Sequence, residues 1–245
     1  LGCPNAVITG AVDQTADADV RASAFLGSHY APARTEMAAQ AIGNAVAVTG
    51  EGSSFQQLAV TQRGTADLVE GAASANTGNG WNLAARAHAT SNQAVFANSG
   101  GAMLIRAGQD NRMAVRGASV VTAYDFGAAE SYARGVGNSV EAGSNDVYVK
   151  IDNTQLNSGG VQVDASMSGT NGYDAYVGAE AVGNSVTGYA CSTCVGYLEA
   201  TNSQTNGAAV RASATATIAG SSRAVLASSH AVGNAAAFYV ARPGD

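Results

Sequence analysis

The feature that most constrains this chain is a tandem repeat of about 47 residues. A glycine-asparagine motif preceded by isoleucine or valine recurs with its asparagines 46–50 residues apart, and one copy has serine in place of the glycine. A glutamine marker recurs every 46–49 residues and precedes its asparagine by 29 or 30 residues in every copy. The glutamines are Gln14, Gln62, Gln109, Gln155 and Gln204, and the asparagines are Asn44, Asn92, Asn138, Asn184 and Asn234. Two markers with one period and a fixed phase indicate five copies of one structural unit.

Within each copy apolar residues alternate with polar ones, as in residues 20–24 and 210–218. A period of two is typical of a β-strand with one buried face. Glycine and asparagine interrupt each run before a stable helix could form, so helix is disfavoured. Each copy therefore predicts about four short strands joined by Gly, Asn and Ser turns. Because aromatic residues make up only 6% of the chain and charged residues 12%, we expect a core of small side chains.

These patterns predict an all-β fold, a single β-solenoid domain over residues 1–245. Its approximate repeats are 14–61, 62–108, 109–154, 155–203 and 204–245, with 1–13 a partial repeat strand. Each strand is expected to pair with its equivalent in the next copy, so that the glutamines and the asparagines form side-chain amide ladders. The sequence leaves open whether a copy makes one wide coil or two narrow ones, although the small core favours thin, flat coils.

The charge balance excludes nucleic acid as a partner. The net charge is −6 and the pI about 4.9, and Lys150 is the one lysine, so no basic footprint is available for phosphates. No window is apolar enough for a transmembrane helix, and no signal peptide stands at the start, which predicts a soluble or already processed chain.

Signals for catalysis and cofactors are thin. His29, His88 and His230 are expected at different positions of the repeat, so that stacking would not gather a catalytic group. No nucleotide loop, calcium repeat or metal-ligand set is present, and we predict no cofactor, no metal site and no enzymatic activity.

The three cysteines form one close pair and one isolated residue. Cys191 and Cys194 predict a local disulfide that staples a loop in a secreted chain, with a redox motif and half of a metal site as the alternatives. Cys3 has three possible states: free, paired between subunits, or buried.

The two ends of the repeat array look complementary. Residues 5–13 occupy the slot that the last strand of a copy occupies elsewhere, and the fifth copy stops where that strand should begin. No capping helix is evident, although solenoid ends normally need a cap. We therefore predict head-to-tail stacking of the chain on itself into a homopolymer.

Residues 182–194, with the motif Val-Gly-Asn followed by Gly-Tyr-Ala-Cys and a second cysteine, resemble the holdfast attachment protein family HfaD. The resemblance is best over residues 109–240, and the ladders are more loosely similar to curlin repeats. It implies a secreted cell-surface protein of Gram-negative bacteria, exported by a signal peptide that has been removed, associated with the outer membrane and amyloid-like in robustness. Such a protein would anchor an adhesive polysaccharide to the envelope, with surface polysaccharide or outer-membrane anchor proteins as partners.

Three functions follow from these observations. The leading one is a surface structural protein that forms an adhesive or anchoring filament. The alternative is a polysaccharide-binding module that presents a rank of tyrosines including Tyr173, Tyr176, Tyr189 and Tyr197. A β-helix glycan lyase or hydrolase is the third, and it requires an acidic catalytic residue.

Overall fold

The computed structural model describes residues 6–52, 54–145, 148–191 and 196–241, with the side chains of residues 191 and 241 left aside. These residues form parallel strands and no helix, so no helix among them could span a membrane. The all-β solenoid prediction is confirmed. The strands are β1 Val7–Ala16, β2 Val20–Gly50, β3 Phe55–Gly64, β4 Leu68–Asn98, β5 Met103–Asn111, β6 Ala114–Ser144, β7 Tyr148–Asn157, β8 Val161–Cys191, β9 Tyr197–Asn206, β10 Val210–Ile218 and β11 Ser222–Ala241.

Each repeat makes one wide coil, built from one short and one long strand in coils 1 to 4; in coil 5 the long strand is divided into β10 and β11. The short strands stack in the order β1-β3-β5-β7-β9, and the long strands stack as β2-β4-β6-β8, with β10 and β11 both paired to β8. The prediction of four short strands per copy was wrong, because the long strand keeps its parallel pairing while it bends. Coils 1 to 5 begin at β1, β3, β5, β7 and β9, and the repeat boundaries drawn at the glutamines lie at or within the ends of these short strands.

The long strand folds back on itself, so each coil is flat. In coil 2 its first third, residues 68–78, and its middle third, residues 82–90, enclose one core, whereas its last third, residues 92–98, packs on the short strand β3. The register keeps both markers in phase from coil to coil, so that Gln62 pairs with Gln14 and Gln109, and Asn92 with Asn44 and Asn138. One irregularity, between Ala31 and Arg34, lies at the bend in coil 1.

Two separate cores result. The alanine lobe lies between the first and middle thirds of the long strands and is dominated by alanine and valine, with Ala85, Ala87 and Ala133 fully buried. The aliphatic lobe lies between the short strands and the last thirds and contains Phe96, Met103, Ile105 and Ile151 among its buried side chains. We call the boundary between the two lobes the seam; the marker glutamines and asparagines lie on it.

Candidate functional site: the amide ladders and the coil ends

The marker glutamines form a column of side-chain amides along the seam. Gln62 is fully buried, and its Nε2 donates to Oε1 of Gln14 at 2.8 Å and to the backbone carbonyl of Gln93 at 2.9 Å. The later glutamines repeat both bonds, with 2.7–2.8 Å to the preceding glutamine and 2.8–2.9 Å to the carbonyl one residue past their own coil's marker asparagine. Each amide therefore ties its coil to the previous coil and its short strand to the last third of the long strand.

The marker asparagines form a second column beside the first. Nδ2 of Asn44 donates to Oδ1 of Asn92 at 2.8 Å and to the carbonyl of Arg63 at 2.9 Å. Asn138 and Asn184 continue the column, with asparagine-to-asparagine bonds of 2.7–2.8 Å. Asn92, Asn138 and Asn184 are fully buried, where an amide without partners would be costly. Each asparagine donates to the coil that follows, whereas each glutamine donates to the coil that precedes.

A third column of side-chain amides, which the sequence analysis did not predict, is formed by Asn111, Asn157 and Asn206. Nδ2 of Asn111 donates to Oδ1 of Asn157 at 2.7 Å, and Asn157 donates in the same way to Asn206 at 2.6 Å. The signal was readable, since each of these asparagines follows a marker glutamine by two residues. The column covers coils 3 to 5, because coils 1 and 2 have Ala16 and Gly64 at this position.

The degenerate copy in coil 2, which has Ser91 before its marker asparagine, fits because Gly64 replaces the asparagine of the third column there. Ser91 replaces the marker glycine and is fully buried; a Cβ on Gly64 would lie 2.4 Å from its Oγ. Beside the marker glycine of coil 3 the same space holds an asparagine of coil 4 instead, since a Cβ on Gly137 would lie 2.9 Å from Oδ1 of Asn157. The pair Ser91 and Gly64 therefore fills the space that a marker glycine and an asparagine fill further along the array. Asn92 keeps its place in the asparagine column.

The two columns leave complementary groups at the two ends of the array. In coil 1, one N–H of Gln14 and Oδ1 of Asn44 have no partner among the described residues. In coil 5, Oε1 of Gln204 accepts no bond from a described residue, and Nδ2 of Asn234 reaches only the carbonyl of Gln204, at 3.5 Å, beyond ordinary hydrogen-bond length. One end therefore offers a glutamine donor and an asparagine acceptor, and the other offers a glutamine acceptor and an asparagine donor.

The outer face of the middle thirds carries an ion-pair network. Arg86 donates to Glu130 through Nε at 2.9 Å and through a second nitrogen at 2.6 Å, and it also pairs with Glu36 in coil 1. The charge of Arg86 holds the pKa of Glu36 below its usual value. In the next coil, the hydroxyl of Tyr132 donates to Glu180 at 2.9 Å. Burial, reinforced by that carboxylate, raises the pKa of Tyr132 to about 12.

The histidines are arranged differently from the prediction. His88 and His230 occupy the same position of the repeat, in line with Gln40, Arg134 and Glu180, although coils 3 and 4 lie between them. Burial, followed by the charge of Arg134, lowers the pKa of His88. This row combines no nucleophile with a base, and the absence of enzymatic activity stays a prediction.

The tyrosines do not form one rank. Tyr189 stacks on Tyr239, and Tyr197 on Tyr148, with ring centroids 5.7 and 5.6 Å apart. Tyr173 lies in another part of the coil, with its ring edge toward Trp81.

The predicted disulfide lies outside the described residues, because these include neither Cys194 nor the side chain of Cys191. Cys3 lies outside them as well. Within residues 6–52, 54–145, 148–191 and 196–241, no group of three or more His, Cys, Asp and Glu side chains could hold a metal ion.

The fold and its columns define a parallel β-solenoid whose flat coils are tied together by buried amide ladders. The chain belongs to the holdfast attachment protein D family, HfaD, whose family profile matches residues 1–160. The family resemblance is confirmed, but its extent differs from the prediction. The match covers coils 1 to 3, with the degenerate copy, and the short strand of coil 4, and it does not include the cysteine motif at 182–194. No curated protein and no solved structure gives a significant match. Membership places the chain among cell-surface attachment proteins.

Proposed function

We propose that this protein is an anchoring element of the cell surface whose chains stack head to tail into a filament. The observation that carries the proposal is the opposite polarity of the two amide columns at the seam. If coil 5 of one chain stacked on coil 1 of the next in the register found inside the chain, Gln14 would donate to Gln204 of its neighbour. Asn234 of that neighbour would donate to Asn44. Both columns would then continue without a break.

The same polarity disfavours other ways of joining two chains. Two coil 1 ends placed face to face with equivalent residues opposite each other would bring two Gln14 donors together and two Asn44 acceptors together, which leaves both pairs of amides unsatisfied. The edge strands also favour stacking, since β1 and β9 end the short-strand sheet, and unpaired strand edges are templates for further pairing. A head-to-tail contact repeats without closing and so gives an open fibre.

A filament suits a protein that holds a cell to a surface, because each joint would add a full coil of parallel backbone pairing and two amide bonds. Cross-β stacking of identical side chains gives kinetic and thermodynamic stability. We further propose that the chain is exported through a signal peptide and associates with the outer membrane, where it anchors surface polysaccharide directly or through outer-membrane anchor proteins. The disulfide between Cys191 and Cys194 belongs to the same proposal, since disulfides persist in oxidising compartments.

The test uses the same substitution at the two ends. Gln14→Glu removes the donor that stacking needs and sets a carboxylate against Gln204 of the neighbour, but inside the chain it loses only the bond to Ala45, 2.9 Å long. Gln204→Glu keeps an acceptor at its free face while it breaks two internal bonds, to Gln155 and Ala235. We expect the Gln14 variant to be the more stable monomer and to form no fibres at pH 7, and the Gln204 variant to be less stable and to polymerise.

Sedimentation and negative-stain electron microscopy read out the assembly, and chemical denaturation reads out the stability. Lowering the pH to about 4 should partly restore assembly of the Gln14 variant, because a protonated carboxyl can donate again. Equal polymerisation of both variants at pH 7, or a wild-type chain that stays monomeric at every concentration, would contradict the proposal.

A further inference from the structure

A notch of about 580 Å³ lies at the bend between the first and middle thirds of the long strands, at the tip of the alanine lobe. Trp81 of coil 2 and Tyr173 of coil 4 lie at its rim, with 57% and 54% of their surfaces exposed. Their ring centroids are 6.1 Å apart and the rings are nearly perpendicular. Large aromatic side chains left in solvent at a concave site indicate a binding surface.

The aromatic pair depends on the residue between its members. Gly127 occupies the same repeat position in coil 3, and a Cβ there would lie 3.1 Å from two atoms of the Trp81 ring and 2.4 Å from the Trp81 carbonyl oxygen. Trp81 can therefore lie across coil 3 and reach Tyr173 two coils away. The guanidinium of Arg223 lies over the Tyr173 ring, 5.8 Å from its centroid, and is paired with Asp174.

A row of polar side chains runs beside the rings. Asn79, Asp125 and Asn171 occupy one repeat position in coils 2, 3 and 4. Nδ2 of Asn171 donates to Asp125 at 3.1 Å, whereas Asn79 makes no side-chain bond to a described residue. At about 4.8 Å per coil the row extends about 10 Å, with groups that both donate and accept. Among the described residues that line the notch, Asp125 is the one that is charged. Arg223 lies over the Tyr173 ring at the rim, but its charge is paired with Asp174.

We propose that this notch binds uncharged pyranose units of a polysaccharide. The aliphatic faces of a pyranose ring pack on aromatic rings, and its hydroxyl groups both donate and accept hydrogen bonds, as the row of amides and carboxylate requires. The Asp125 carboxylate in the notch and the pairing of Arg223 with Asp174 disfavour acidic glycans. The site lies within coils 2 to 4 of one chain, so it does not depend on head-to-tail stacking.

Trp81 is the single tryptophan of the chain, so its fluorescence reports directly on the notch. Titration with cellohexaose and with maltohexaose should give a saturable change in emission for at least one of them, and an alginate oligosaccharide should give none. Tyr173→Ala should weaken the affinity about tenfold, since it removes one aromatic face. Asp125→Leu should also weaken binding by removing a hydroxyl acceptor.

Tyr239→Ala is the matched control, because Tyr239 is equally exposed at 52% but lies in the aliphatic lobe. It should leave the affinity unchanged. Affinity electrophoresis in gels containing hydroxyethyl cellulose or dextran extends the measurement to Trp81→Ala, which should migrate freely where the wild type is retarded. Failure of both neutral hexasaccharides and both gels to bind, retardation that survives Trp81→Ala, or a preference for alginate would each overturn the proposal. A folded chain that stacks but binds no glycan would leave the proposed filament standing.

Discussion

The alanine lobe and the aliphatic lobe of each coil close the same backbone layers with different side chains. In the alanine lobe the layers are so close that a Cβ on Gly71 would lie 2.3 Å from the carbonyl oxygen of His88. In the aliphatic lobe Phe96, Ile105 and Ile151 fill the space between the layers. Small side chains leave backbone in contact with backbone, which tolerates no added atom, whereas large side chains can shift their ends. The outer surfaces of the two lobes differ as well, since the alanine lobe carries the ion-pair network of Arg86 and the notch.

The largest effect should come from removing bulk in the aliphatic lobe. Phe96→Ala should lower the free energy of unfolding by about 3–5 kcal/mol, because a ring that is 1% exposed leaves a cavity that the rigid sheets cannot close. In the alanine lobe, Ala133→Gly removes one methyl group and should cost about 1 kcal/mol. Urea denaturation of both variants measures the difference. Equal costs would mean that the lobes share one core.

Substitutions at the seam should have the second largest effect on stability. Asn138→Leu should cost about 2–4 kcal/mol, because the substitution leaves buried polar groups of Asn92, Asn184 and Leu156 without a partner. Asn234→Leu is the matched control at the open end. Its side chain accepts one bond from Asn184, at 2.7 Å, and donates only one long bond, of 3.5 Å, so its loss should cost less. Thermal unfolding that does not distinguish the two variants would mean that the column contributes little to folding.

A smaller effect compares two inward-facing glycines. Gly117→Ala in the alanine lobe sets a Cβ 2.9 Å from the Arg134 carbonyl oxygen, which cannot move without disturbing the sheet, and should cost about 1–3 kcal/mol. Gly188→Ala in the aliphatic lobe meets side-chain atoms of Ile151 and Phe238, which can turn away, and should cost less than about 1 kcal/mol. The reverse order in denaturant midpoints would contradict the contrast between the lobes.

The smallest effect is a pH dependence at the ion-pair network. Because the folded state lowers the pKa of His88 below its ordinary value of 6.5, its contribution is complete above that value and is lost as the pH falls below it. His88→Gln, which introduces the side chain found at Gln40 in the same row, should flatten this loss between pH 7.5 and 5. Denaturant titrations at the two pH values measure it. An unchanged slope would show that His88 is not its source.

Much of the fold was readable because identical residues stack on identical residues. The period of the glutamines and asparagines predicted the coils and both columns, and the alternation predicted the buried faces. Both histidines of the shared row lie four residues before a marker asparagine, at Asn92 and Asn234, so their alignment was also readable and was overlooked.

The width of the coil could not be predicted. Its bend occupies a position where Ala31, Gly80, Phe126 and Gly172 follow one another, so no repeated residue marks it. The Phe126 ring fills the room that Gly172 leaves, since a Cβ on that glycine would lie 2.2 Å from the ring. Contacts of this kind join different coils and have no period. For the same reason, the rim formed by Trp81, Gly127 and Tyr173 has no signature in the repeat.

The most direct test of the account is cryo-electron microscopy of the assembled wild-type chain. Stacking in the internal register predicts a polar, unbranched filament in which all strands run parallel across each joint, with a rise of about 24 Å per chain from five coils of about 4.8 Å. Density for Gln204 and Asn234 should continue the columns into Gln14 and Asn44 of the next chain. Joints between two like ends, or particles that remain single chains of five coils, would contradict it.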